Sequence, residues 1–230
     1  MPTLASPQAS AAGAAPPLLI TGFDAFGGDA RNPSAELALA LDGHTIAGHR
    51  VVGALLPTVF GRSLAVLQGL LMQHRPALVL CTGLAGGRGA LSLERVAINV
   101  DDARIADNAG AQPVDHPVVT GAPAAYFSTL PIKAMRAAIE QAGVPAEISQ
   151  TAGTFVCNHV FFGLMHLLAT RLSLHGTVGG FMHVPWLPGQ GSPALALDEL
   201  QRGTQAALAC AVDILGSGRA DLRQHGGALH

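Results

Sequence analysis

Apolar residues recur along this chain in two alternating patterns. Short, nearly continuous apolar runs stand at Pro17–Thr21, Arg50–Leu56, Ala77–Cys81, Glu147–Gln150 and Gly179–Val184, and Leu91–Val100 alternates apolar with polar. Such runs predict strands, and the unbroken ones predict strands covered on both faces. Between them, apolar positions fall three and four apart over Ala35–Leu41, Leu64–His74, Pro131–Ala142, Cys157–Leu168 and Ala194–Leu215. Leu64, Leu67, Leu70 and Leu71 form one such helical face. Ser34 is placed to cap the first helix, with Glu36 favourable in its first turn. Strands alternating with helices predict an α/β sandwich around a mostly parallel sheet.

The pattern also sets the boundaries. Residues 1–16 are small residues and proline and are expected to form a disordered lead. Residues 17–215 hold no linker, repeat or charge block and predict one domain, and 216–230 reads as a flexible Gly-rich tail.

Composition narrows the function classes. Hydrophobic residues make up 49% of the 230 and charged residues 12%, which excludes disorder across the chain. The apolar runs are far shorter than the roughly 18–20 residues a membrane span needs, so no membrane partner is expected. Net charge is −2, and the cations, twelve Arg and a single Lys, are scattered. No basic stripe offers nucleic acid its phosphate contacts. Three cysteines cannot close a disulfide framework, and no Lys or Arg precedes Arg31 to make the charged start of a signal peptide. A reducing cytoplasm is the expected compartment.

Two glycine-rich stretches fail the phosphate motifs they approach. Gly22 and Gly27 have P-loop spacing, but Gly28 and Asp29 stand where Lys and Ser/Thr belong. In the run Gly83–Gly89, Ser92 occupies the third small position of a dinucleotide fingerprint. Both remain loops whose backbone can approach a ligand closely, or tight turns. Ten histidines invite a metal, yet there is no His-Glu-x-x-His and no cysteine pair with zinc spacing. His159 and His166, seven apart, fit packing on a helix face, so neither metal nor cofactor is expected.

Cysteine chemistry is the better candidate. Cys81 ends an apolar strand and Cys210 sits in the apolar pattern of the last helix, so both read as core thiols. Cys157 instead follows a loop of small residues and opens a helix, where the macrodipole is expected to favour the thiolate. A cysteine nucleophile needs a base and a group to orient that base. His183, at the end of a predicted strand, suits the first role, because crevices form at strand ends in open α/β sheets. Glu94, an acid within an apolar pattern, suits the second, since burial of an unpaired carboxylate is costly. An ion pair with the neighbouring Arg95 is the alternative that spacing leaves open.

At these residues the chain resembles the pyroglutamyl-peptidase I (pyrrolidone-carboxylate peptidase) family of cysteine peptidases. The matching blocks are Thr21–Gly28 with Asn32–Ser34; Gly83–Arg88 running to Glu94–Asn99 and Asp101–Arg104; Thr151–His159; and His183–Pro188. They follow the family's order over roughly residues 17–190. The resemblance implies a three-layer α/β/α sandwich and a triad of Cys157, His183 and Glu94. It implies that Arg104 stabilises the oxyanion region and that Phe23 and Phe26 flank a pyroglutamyl ring. Phe155 and Val156 would complete that pocket, with backbone groups of Gly83 and Leu84 against the ligand. The implied substrates are peptides with an N-terminal pyroglutamate, and the implied assembly is a homotetramer or homodimer. Ala25 and Ala106 stand where prolines are common in the family, Gln150 where Asn is frequent, and Trp186 where Tyr is. A non-catalytic binding protein and a cysteine amidohydrolase of a related cyclic amide are the competing functions.

Overall fold

The computed structural model describes residues 15–227; most of the expected N-terminal lead lies outside them. A seven-stranded sheet runs through the molecule in the order β2-β3-β1-β4-β9-β5-β8. Its strands are β1 (Leu18–Phe23), β2 (Thr45–Ile46), β3 (His49–Leu56), β4 (Leu78–Leu84), β5 (Leu91–Glu94), β8 (Ala146–Ser149) and β9 (Val178–Val184). β3, β1, β4 and β9 are mutually parallel, β5 pairs antiparallel with β9 and parallel with β8, and β2 is antiparallel to β3. A separate antiparallel pair joins β6 (Val96–Ile98) to β7 (Ala125–Phe127).

Because side chains alternate along a strand, each strand feeds two cores. Leu18, Ile20, Leu78, Leu80, Leu93 and Met182 pack against α1 (Pro33–Leu41), α3 (Ile132–Gln141) and α5 (Leu197–Ser217). Leu19, Val79, Cys81 and Phe181 pack against α2 (Arg62–His74) and α4 (Val156–Thr170). The result is the three-layer α/β/α sandwich. α1 follows β1 on one face and α2 follows β3 on the other, so the chain changes direction between β1 and β4. Ligand crevices of open α/β sheets form at such a point, beyond the carboxyl ends of the strands.

Local chemistry corrects some boundaries. Asn32, not Ser34, caps α1: its Oδ1 accepts the Ser34 amide at 3.1 Å and the Ser34 hydroxyl at 2.8 Å. The Ser34 hydroxyl in turn accepts the Phe23 amide at 3.0 Å, tying the helix start to the end of β1. The expected strand Leu91–Val100 breaks at Arg95. The Arg95 amide still reaches the Ser149 carbonyl, but its own carbonyl accepts the Ser128 amide, and the chain leaves the main sheet for β6. After α5, the Asp221 carboxylate accepts the Lys133 and Ala134 amides at the start of α3.

Candidate active site

The strand alternation that builds the two cores also sorts the reactive side chains. On β9, His183 shares the α4 face with Phe181; on β5, Glu94 lies opposite Phe181 in the register and shares that face with Ser92. Both are buried, Glu94 completely and His183 with 4% exposed. His183 Nδ1 lies 2.7 Å from Glu94 Oε1. A carboxylate oxygen accepts, so Nδ1 carries a proton, and Nε2 is the nitrogen left to exchange one with a substrate or thiol.

Glu94 has a second donor. Arg88 Nη1 donates to the same Oε1 at 2.8 Å, and its Nη2 reaches the Thr151 carbonyl at 3.3 Å. The ion pair of Glu94 is therefore with Arg88. Arg95, the expected alternative, turns away to Gln150 Oε1 and the Gly226 carbonyl. Arg88 lies in a matched block, but nothing in its spacing reveals that it shares an oxygen with the histidine.

Cys157 stands in the first turn of α4, whose start has no side-chain cap, so first-turn amides remain free for other partners. Its sulfur rests on the backbone of Gly83: a Cβ there would lie 2.7 Å from Sγ and 2.9 Å from the Phe181 ring. Gly83 pairs with His183 in the β4–β9 register. Thiol and imidazole therefore converge on one strand pair, and glycine at 83 is a steric requirement of that approach.

Packing around the sulfur works against the thiolate that helix position favours. Although the residue is partly accessible, the dense packing around its sulfur pushes the thiol up to about 12. The Glu94 carboxylate raises it further and the Arg88 guanidinium opposes both. Desolvation opposes the macrodipole here and disfavours the thiolate, which makes a base beside Cys157 the more necessary. Burial likewise pushes Cys81 up to about 12.

These two thiols give the fold an alkaline signature. Folding raises their pKa values above those of the unfolded chain, so between about pH 9 and 12 the folded state holds more protons. Their stabilising contribution is present below that window and is lost as pH rises through it, by at most roughly 1.4 kcal/mol per pH unit per thiol. Cys210, raised more weakly by partial burial, and the single Lys and Tyr titrate in the same range, so the Cys81 share is read from its own variant. Urea midpoints should fall steadily above pH 9 and less steeply in Cys81→Ala; equal slopes would contradict the assignment.

Of the other expected residues, Phe26, Phe155 and Arg104 line one cleft of about 260 Å³ together with Asp102, Ile105 and Thr154. The Phe26 and Phe155 rings are 6.1 Å apart. Phe23 is not a loop aromatic: it closes β1, is 2% exposed and packs on Phe181 at 6.5 Å. Val156 opens α4 and is buried, and Leu84 ends β4 half-buried. Trp186 lies between two glycine-bearing loops, since a Cβ at Gly86 or Gly191 would come within 2.3 or 2.4 Å of its ring. Asn158 holds the β6 segment next to Cys157, accepting the Ile98 amide and donating to the Ile98 and Val100 carbonyls.

Comparison with known proteins matches residues 17–214 to the pyroglutamyl peptidase family model. A pyrrolidone-carboxylate peptidase of Cupriavidus taiwanensis is 55% identical over 221 residues, covering 94% of this chain and all of that protein. One from Ralstonia nicotianae is 54% identical with the same coverage. Among solved structures, pyroglutamyl peptidase I of Bacillus amyloliquefaciens aligns with TM-score 0.84 at 42% identity, covering 89% of this chain and 98% of that one. Pyrrolidone carboxyl peptidase from Thermococcus litoralis gives 0.86 at 35% identity, covering 90% and 98%. With a family model matching residues 17–214 and relatives of this identity along nearly its whole length, the chain belongs to the pyroglutamyl peptidase family of cysteine-type hydrolases.

Proposed function

We propose that this protein hydrolyses the amide bond following an N-terminal pyroglutamyl residue, with Cys157 as nucleophile, His183 as base and acid, and Glu94 as the orienting carboxylate. The observation that carries the reading is the 2.7 Å His183–Glu94 contact beside the strand position on which the Cys157 sulfur rests. His183 Nε2 takes the thiol proton as sulfur attacks the scissile carbonyl. The imidazolium, neutralised by Glu94, then gives that proton to the leaving amine. Water, deprotonated by the same nitrogen, splits the acyl-enzyme, releasing pyroglutamate and returning the thiol. First-turn amides of α4 and the Arg104 guanidinium are the candidates for holding the oxyanion.

A pyroglutamyl group is a flat lactam with no free amine. Aromatic walls from Phe26 and Phe155, with Phe23 and Val156 behind them and backbone partners at Gly83 and Leu84, suit it better than a charged pocket. The protein acts as a homodimer or homotetramer in the cytoplasm on this reading. Exposed apolar side chains such as Phe127, Val114 and Leu172 fit a subunit interface, and the three free cysteines fit a reducing compartment. No helix among the described residues is long and apolar enough to cross a membrane.

Assay of chromogenic pyroglutamyl and prolyl amides tests the substrate class. A site that hydrogen-bonds the lactam should reject the prolyl analogue by about 10⁴-fold in kcat/KM, because its own polar groups are left unpaired. Comparable values on the two substrates would sink the pocket assignment.

A further inference from the structure

The chemistry above leaves unused a second buried histidine–carboxylate pair. His159 and Asp101 are 5% and 6% exposed, and His159 Nδ1 lies 2.7 Å from Asp101 Oδ2. The other ring nitrogen, Nε2, accepts the backbone N–H of Gly61 at 2.9 Å. A backbone amide only donates, so Nε2 holds the lone pair and Nδ1 the proton that Asp101 accepts. The tautomer follows from the network.

Gly61 precedes α2 in a left-handed conformation, with φ of +68°, and no side chain caps that helix. The residue before it, Phe60, donates its own amide to Asp107 Oδ2 at 2.9 Å. Two consecutive amides are thus held from two directions, which leaves the Phe60 ring little freedom. That ring meets His159 edge-on, with centroids 5.3 Å apart at 87°. It meets Phe155 the same way at 5.4 Å and 89°. Phe155 in turn lines the cleft with Phe26.

We propose that His159 is a positioning residue for specificity: clamped by Asp101, it fixes Phe60 behind Phe155 and so sets the aromatic wall of the lactam pocket. The proposal rests on the pyroglutamyl reading above. His159 takes no part in proton transfer and acts through Phe60. Wall contacts are made in the ground state and the transition state alike, so their loss raises KM and leaves kcat nearly unchanged.

The test is steady-state kinetics on a pyroglutamyl anilide for wild type, His159→Asn, Phe60→Leu and the double variant, with the rate of Cys157 alkylation by iodoacetamide measured alongside. Asparagine still donates to Asp101 but is too short to reach the Gly61 amide. Each single variant should raise KM about tenfold, the worth of a lost aromatic contact, with kcat and alkylation rate held within about threefold. The double variant should be no worse than the worse single, because both remove one contact chain. Independent, multiplying effects would overturn the proposal. A fall in kcat and alkylation rate at constant KM would overturn it too, making His159 a support of the nucleophile's helix. Nitrogen-15 spectra of the wild-type histidines give a readout that needs no variant: His159 should be neutral with its proton on Nδ1, and a proton on Nε2 would exclude the Gly61 contact. A wild-type protein inert on the anilide would overturn both readings, whereas an active one with the wrong variant pattern overturns only this one.

Discussion

Replacing Cys157 with alanine should lower kcat on a pyroglutamyl amide by a factor on the order of 10⁶, the loss seen when a hydrolase forfeits its nucleophile while binding survives. The geometry allows no substitute. Cys81 lies two residues before Gly83 on β4, is fully buried, and has its thiol pushed up by burial. Cys210 lies on α5, against the opposite face of the sheet. Burial disfavours the thiolate at 157, so its reactivity should depend strongly on His183. Alkylation by iodoacetamide should therefore track the loss of activity at Cys157, and pyroglutamate analogues should slow it. The Cys157→Ala protein should stay folded, since the change removes a single sulfur from the packing beside Gly83 and Phe181. Retention of turnover within tenfold of wild type, or inactivating label found on Cys81 or Cys210, would remove Cys157 from the mechanism.

The parts of the fold legible in the sequence are those where one physical demand dominates. β4 and β9 are covered on both faces, so their apolar runs are continuous and stand out. Their ends stand out less: β4 continues past Cys81 through Thr82 and Gly83, which are buried for what lies above them and not for hydrophobicity. β2 and β7 are two and three residues long, too short to show a period. The break at Arg95 is invisible because apolar alternation continues across it while the pairing partner changes.

The site divides the same way. Cys157, His183 and Glu94 each carry a local mark: a helix start, a strand end, an acid in an apolar run. Arg88, Asp101, His159 and Phe60 carry none. Their meaning lies in contacts such as that between His159 and Gly61, 98 residues apart in sequence. The thiol's environment divides in the same way. Helix position is a local property, whereas desolvation depends on Gly83 and Phe181, which the fold brings from elsewhere.

Glutamine at position 94 isolates the charge of the triad's third member. Glu94→Gln should lower kcat by on the order of 10²–10³ with KM little changed, less than the roughly 10⁴ paid by a triad that adopts the wrong histidine tautomer. The difference comes from the hydrogen bonds at one oxygen. Oε1 accepts from both His183 Nδ1 and Arg88 Nη1, while Oε2 has no partner among the described residues. Two donors hold the amide oxygen of the new glutamine at the Oε1 position and direct its NH₂ to the other side. His183 keeps its proton on Nδ1 and its lone pair on Nε2. What disappears is the negative charge that neutralises the imidazolium, and the Arg88 guanidinium beside it is left uncompensated. Glu94→Leu, which removes the acceptor as well as the charge, should fall further, to a loss of about 10⁴. If the Arg88–Glu94 pair served only to hold the loop after β4, the glutamine variant would show a lower melting temperature with nearly intact turnover. Measuring kcat and melting temperature on the two variants separates these cases. Near-wild-type turnover in Glu94→Gln would leave Cys157 and His183 to act as a dyad.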